Sequence, residues 1–146
     1  MKRKLLFLLL SSTILLSCKV TFVPDFDDSI SQQIMETAKA NDKLYLELLA
    51  APIDKRSYSD FEKEYIQIEA EINSIYLKNE IRKKNEDMIA IIEILHKHFK
   101  QYREEHQKLS RPLKDAEIID YENYIHAFWK TLLFAENGLP HPTPDH

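Results

Sequence analysis

Two glutamate–histidine pairs lie at helical spacing in the second half of this 146-residue chain. In the first pair, Glu93 and His96 are three residues apart, a spacing that two-metal carboxylate sites in four-helix bundles use twice. Here the spacing occurs once, and no histidine precedes His96 in the chain. We therefore expect no metal and no other cofactor, and interpret Glu93 and His96 as a pair on the surface of one helix.

The second group consists of Glu122, His126 and Trp129, on one flank of the last predicted helix at the margin of its apolar face. A carboxylate that holds an imidazole beside an aromatic ring can serve acid–base catalysis. The same arrangement also satisfies the hydrogen bonds of an ordinary half-buried histidine. No serine, cysteine or second acid lies at a spacing that would complete a triad. We therefore interpret the group as structural and expect no enzymatic activity.

Glycine and cysteine each occur once, as Gly138 and Cys18. Phosphate-binding loops, dinucleotide-binding loops and the turn that carries a catalytic serine all need several glycines, because their backbone turns sharply and approaches a ligand closely. A single cysteine forms neither an internal disulfide nor a cysteine zinc site. These two counts argue against several large classes of enzyme. They leave a binding or structural role.

The first twenty residues differ in character from the rest of the chain. A basic start, MKRK, precedes thirteen residues (5–17) that are apolar or carry small hydroxyl groups, and Cys18 follows directly. A helix of thirteen residues is about 20 Å long, which is shorter than the ~30 Å hydrocarbon core of a bilayer. The pattern predicts a cleaved secretory signal peptide over residues 1–17.

The end of this segment, Leu15-Leu16-Ser17-Cys18, resembles the lipobox of bacterial lipoproteins. A branched apolar residue lies three positions before the cysteine, and a small residue lies directly before it. The resemblance implies that Cys18 carries a diacylglyceryl thioether and becomes the first residue of the mature chain. Two or more acyl chains attach a protein stably to a membrane. The alternative is an ordinary signal peptide that leaves a free cysteine.

The lipobox resemblance also implies a location and a class of partner. The protein would lie in the bacterial cell envelope, anchored to a membrane by its lipid. Lys19 follows the cysteine where an aspartate would favour the inner membrane, so we expect the outer membrane. Without residues 1–17 the chain has 17 basic and 24 acidic residues, a net charge of −7. That charge argues against nucleic acid as a partner, and favours another envelope protein.

The body of the chain predicts an all-α fold, an antiparallel up-and-down four-helix bundle over residues 27–139. It follows a lipidated tether (18–26) and precedes a disordered tail (140–146). Apolar residues recur at steps of three and four in four segments, which is the period of a helix buried along one face. In the second segment these residues are Phe61, Tyr65, Ile68, Ile72 and Ile75. Short loops between such helices predict antiparallel neighbours.

Polar and turn-forming residues set the expected boundaries of these helices. The first is predicted from about Asp27 to Ala50, and the second from Ser59, which with Glu62 has the spacing of a capping box. Extending the second stripe by sevens places Asn79, Arg82 and Glu86 on the buried face, which predicts a turn around residues 78–85. The third helix is then capped by Asn85, the fourth begins near Asp115, and Gly138 ends it in a left-handed conformation. Asn41 falls on the first stripe, where a buried polar residue can set register.

Three functional hypotheses are consistent with this sequence. The leading one is a non-enzymatic envelope lipoprotein that binds another envelope component through one helical face. The second is a carrier of a small apolar ligand or lipid inside the bundle, between stripes that contain Tyr65, Tyr102 and Tyr121. The third, a metal-dependent enzyme, has the weakest basis because its ligand set is incomplete.

Overall fold

A computed structural model describes residues 26–83 and 85–138 as four α-helices, with no strand among those residues. The helices are α1 (Asp28–Ala50), α2 (Tyr58–Glu80), α3 (Glu86–Lys108) and α4 (Asp115–Glu136), and a 3₁₀ turn spans Ile53–Lys55. Each helix packs against its neighbours in the chain, and α4 packs against α1. The predicted all-α four-helix bundle is confirmed. The predicted signal peptide, Cys18 and the tail from 140 onwards lie outside the described residues.

The core follows the apolar stripes that the sequence predicts. All five residues of the α2 stripe are buried, from Phe61 at 8% exposed to Ile72 at 0%. Burial of such a side chain contributes about 1.5–3 kcal/mol relative to an exposed position, so these stripes are what hold the helices together. No helix in the described part of the chain has the length and apolar character needed to cross a bilayer.

The beginnings of the first two helices follow from side-chain capping. The Asp27 carboxylate accepts from the backbone N–H groups of Ser29 and Ile30, at 2.9 and 3.2 Å, as its position before α1 predicts. The prediction of Ser59 as the cap of α2 is wrong by two residues. Ser57 is the cap, and its hydroxyl lies 2.5 Å from the Asp60 carboxylate. Both Ser57 and Ser59 have an acid three residues on, but only Asp60, the acid that follows Ser57, makes the reciprocal contacts of a capping box.

The predicted separation of α2 and α3 is confirmed by a turn between Glu80 and Glu86. Asn85 immediately precedes α3, as expected, but its side chain does not cap that helix. Its amide instead donates to the backbone and side-chain oxygens of Asn79, at 3.0 and 2.7 Å. Gly138 has a φ of 63°, the left-handed conformation predicted for the residue that ends α4.

Two sets of buried polar contacts mark the two ends of the bundle. At one end, Glu136 pairs with Arg82 and accepts the backbone N–H of Asp27. At the other, the side chain of Arg56 reaches the last carbonyls of α1 and the carboxylate of Asp115. We call these the Glu136 end and the Arg56 end. The chain enters α1 at the Glu136 end.

Candidate binding site between the first and last helices

Helices α1 and α4 run antiparallel and leave a groove between them with a volume of about 410 Å³. Asp42 lies opposite His126, and Asp27 lies opposite Glu136, so the groove runs from mid-bundle to the Glu136 end. We call it the α1–α4 groove. Its apolar lining is Met35, Ala38, Trp129, Leu133 and Phe134, and its polar lining is Lys39, Asp42, His126, Lys130 and Asn137.

The structure brings two of the three residues of the predicted polar group into this groove. Trp129 is 1% exposed, and its indole Nε1 has no hydrogen-bond acceptor among the described residues. His126 is exposed, and its Nδ1 lies 3.3 Å from Oδ1 of Asp42 on α1. Glu122 does not line the groove and makes no ion pair with His126 among the described residues. The carboxylate that faces His126 is therefore Asp42, which the sequence could not place because it lies on another helix.

The charged side chains around the groove differ in whether they have a partner of opposite charge. Lys39 and Lys130 are both exposed, and in the described part of the chain neither forms a salt bridge with a carboxylate. The Lys130 ammonium lies 5.8 Å from the centre of the Phe134 ring, a cation–π distance. Asp42 is the one acid of the lining, and it faces His126. The two ammonium groups and the single carboxylate of the lining together contribute a net charge of +1 to the groove.

The centre of the bundle beside the groove is packed and closed to solvent. Asn41 and Tyr45 are both 0% exposed, and within residues 26–83 and 85–138 neither the Asn41 amide nor the Tyr45 hydroxyl has a hydrogen-bond partner. Burial raises the pKa of the Tyr45 phenol well above its usual value. The phenol therefore stays protonated and neutral, and it cannot serve as a base at ordinary pH.

The sequence predicted that His96 pairs with Glu93, but in the structure its carboxylate partner is Glu69. His96 Nε2 lies 3.2 Å from the carboxylate of Glu69 on α2, and the same carboxylate bonds with Arg103. Both Glu93 and His96 line a second groove, between α2 and α3, with a volume of about 460 Å³. Among the described residues, no three histidine, cysteine, aspartate or glutamate side chains lie close enough to hold a metal ion.

One buried histidine was missed by the sequence reasoning. His106 is 1% exposed, with Nε2 3.1 Å from the backbone oxygen of Arg56 and Nδ1 3.1 Å from the Tyr65 hydroxyl. A backbone oxygen only accepts, so Nε2 carries the proton and Nδ1 accepts from Tyr65. Burial lowers the pKa of His106. Its position, seven residues after the core residue Phe99, was the signal that could have identified it.

Aromatic side chains pack against one another between α3 and α4. Tyr102 and Tyr121 stack with ring centres 4.1 Å apart, and the Tyr121 hydroxyl donates to Glu105 at 3.0 Å. His98 and Phe128 stack beside them at 5.8 Å. Tyr102 and Tyr121 are half-buried. They lie on the predicted core stripes, but at the margin of the core.

Comparison with known proteins identifies no relative of this chain. No protein-family model, curated protein or solved structure matches it. The role of the α1–α4 groove therefore has to be inferred from its own side chains. Those side chains offer apolar surface and two ammonium groups that form no salt bridge with a carboxylate in the part of the chain that the structure describes.

Proposed function

We propose that this protein is a lipid-anchored, non-enzymatic binding protein of the bacterial cell envelope, and that the α1–α4 groove is its binding site. One observation carries the proposal. Asp27, where the chain enters α1, bonds to Glu136, the residue directly before Asn137 at the end of the groove. A lipid on Cys18 would therefore hold the open end of the groove next to the membrane.

The reach of the tether supports this placement. Eight residues, 19–26, separate Cys18 from Asp27, and they span at most about 26–29 Å when fully extended. The root of the tether is fixed, because the backbone N–H of Asp27 donates to Glu136 Oε1 at 2.9 Å. Only residues 19–26 can therefore change the position of the bundle relative to its anchor. A tether of this length would keep the Glu136 end within about 26–29 Å of the anchor.

The chemistry of the groove favours binding over catalysis. Its lining contains no serine, cysteine or tyrosine that could act as a nucleophile, and its single acid faces His126. An apolar surface with a few polar groups at its margin is typical of a ligand site. The bundle interior supports the carrier hypothesis less well, because side chains such as Ile34, Ile72 and Ile92 fill it at 0% exposure.

The anchor is tested by intact-mass spectrometry of the protein purified from membranes. We expect a mature chain that begins at Cys18 and carries two or three acyl chains. The Cys18→Ala variant should keep its leader and gain no lipid mass. A mature chain with an unmodified thiol at residue 18 would overturn the proposed anchor.

The binding site is tested by placing a photo-crosslinking amino acid at Met35, in the groove, and at Ile66 on α2 as the matched control. The two side chains have similar exposure, 44% and 52%. We expect a discrete adduct in membranes from the probe at Met35 and none from the probe at Ile66. Equal labelling from both positions would contradict the assignment of the groove.

A further inference from the structure

We propose that the α1–α4 groove binds a fatty carboxylate, a single apolar chain that ends in one carboxylate group. The inference rests on the proposed function for the choice of the groove and for the membrane as the source of the ligand. The chemistry of the ligand is argued from the groove itself. Three properties of the groove decide it: its size, its charge and the order of its residues along α4.

The size of the groove selects a small molecule over a protein segment. Its volume of about 410 Å³ falls within the ~300–1,000 Å³ of small-molecule sites. A ten-residue helix, about 15 Å long and about 10 Å wide, fills roughly 1,200 Å³. A partner helix would therefore leave most of its surface outside the groove. A single acyl chain can lie against Met35, Leu133 and Phe134 along its length.

The charge of the groove selects a single negative charge. Lys39 from α1 and Lys130 from α4 flank it without a carboxylate partner, while Asp42 keeps one negative charge at its mid-bundle end. The net charge of +1 matches a carboxylate. A phosphate monoester carries nearly two negative charges, so Asp42 would repel it more strongly than it repels a carboxylate.

The order of residues along α4 gives the ligand a direction. Leu133 and Phe134 follow Lys130 by three and four residues, so they lie one turn nearer to the Glu136 end on the same face. A carboxylate held by Lys39 and Lys130 would therefore direct its chain toward the Glu136 end. With the proposed anchor, that end faces the bilayer, from which a fatty carboxylate can enter.

The test is photolabelling of the full chain in membranes with dodecanoate that carries a diazirine, at a concentration below micelle formation. Labelled peptides are identified by mass spectrometry. We expect the label on segments 35–42 and 126–137. Excess dodecanoate should abolish the labelling, whereas dodecyltrimethylammonium and dodecyl maltoside, which share the chain length, should not. Label placed mainly on other segments would overturn the proposal, and so would equal competition by all three compounds.

Matched variants separate recognition of charge from partitioning into the membrane. Lys39→Gln with Lys130→Gln should reduce groove labelling about tenfold, because two charge-assisted contacts are lost. Lys63→Gln with Lys78→Gln makes the same charge change at exposed positions on α2 and should leave the labelling unchanged. Unchanged labelling in the Lys39/Lys130 variant would contradict the proposal. Stronger competition by dodecyl phosphate than by dodecanoate would contradict the assignment of a carboxylate.

The outcomes also distinguish this inference from the proposed function. Groove labelling in a protein that proves to have an unmodified Cys18 would support the fatty carboxylate and overturn the anchor. An adduct of Met35 with a protein, in membranes where dodecanoate neither labels nor competes, would overturn the fatty carboxylate and leave the binding role in place.

Discussion

The carboxylate of Glu136 accepts hydrogen bonds from both terminal nitrogens of the Arg82 guanidinium, with N···O distances of 2.7 and 3.1 Å. The Glu136 side chain is fully buried and that of Arg82 is 14% exposed. The same carboxylate accepts the backbone N–H of Asp27 at 2.9 Å. Because Asp27 precedes α1, Arg82 lies in the turn between α2 and α3, and Glu136 ends α4, one side chain joins all the elements at this end of the bundle.

Replacing Glu136 by alanine is expected to lower the free energy of unfolding by about 3–5 kcal/mol, because it leaves a buried guanidinium without its carboxylate. Urea unfolding followed by circular dichroism measures this change. Glu80→Ala removes an exposed acid near the same turn and should cost less than about 1 kcal/mol. Equal losses in the free energy of unfolding would show that the Arg82–Glu136 pair contributes no more to stability than an exposed acid does.

Arg56 has the corresponding role at the other end. Its Nε and Nη2 donate to the backbone oxygens of Ala51 and Leu49, at 2.8 and 2.9 Å, and its Nη1 bonds with Asp115. The last carbonyls of a helix have no partner within the helix. A side chain from the loop after α1 therefore supplies the donors that this end of the helix needs.

The two roles of Arg56 can be separated by substitution at each partner. Arg56→Ala should lower the free energy of unfolding by about 3 kcal/mol, because buried carbonyls lose charged donors. Asp115→Asn should cost at most about 1 kcal/mol, because the Asp115 side chain is 69% exposed and its ion pair is screened by water. Thermal and urea unfolding of both variants provide the comparison. A larger loss from Asp115→Asn would assign the stability to the ion pair instead.

Helical periodicity accounts for most of what the sequence predicted correctly. The α2 stripe and the polar residues that continue it, Asn79 and Arg82, predicted both a buried face and the turn that ends the helix, because these are local properties. The contacts of Arg56 with Asp115 and of His106 with Tyr65 span 59 and 41 residues. Such pairings depend on how the helices are arranged, which periodicity does not specify.

The candidate site shows the same division between local and non-local information. His126 and Trp129 share a flank of α4, and their spacing on one helix was enough to group them. Lys39 and Asp42 could not be added, because the sequence does not say which helix lies beside that flank. One local signal was available at the Glu136 end: an acid in the last turn of a helix is unfavourable beside the helix dipole, which favours a cationic partner for Glu136.

His106 is expected to make stability depend on pH. Burial lowers its pKa below the ordinary 6.5, so the unfolded chain binds a proton at a higher pH than the folded chain does. The contribution of His106 is therefore complete above about pH 7 and is lost as the pH falls through 6.5 toward the lowered value. The free energy of unfolding, measured by urea titration at several pH values, should decrease over that window.

His106→Gln should remove this part of the pH dependence, while His98→Gln, at a less buried position on the same helix, should retain it. The groups that face His106 are the rings of Tyr58 and Tyr65 and the backbone oxygen of Arg56, with the charge of Glu117 acting more weakly. An unchanged slope in His106→Gln would assign the pH dependence to other groups.

Two buried asparagines offer the last comparison, because both are 0% exposed and only one has partners. Asn79 donates to the backbone oxygen of Ile75 at 2.8 Å and accepts from Arg82 at 2.8 Å and Asn85 at 2.7 Å. The Asn41 amide has no partner among the residues that the structure describes. An unpaired buried amide costs free energy, whereas a paired one holds its partners in place.

Asn41→Leu should therefore raise the free energy of unfolding by about 1 kcal/mol, and Asn79→Leu should lower it by about 2–3 kcal/mol. Urea unfolding measures both changes, and analytical ultracentrifugation shows whether Asn41→Leu alters the oligomeric state. A loss of stability in Asn41→Leu would mean that the amide is satisfied in solution. A new oligomer in the same variant would support the sequence-based interpretation that Asn41 sets register, since a buried polar residue specifies one packing arrangement at some cost in stability.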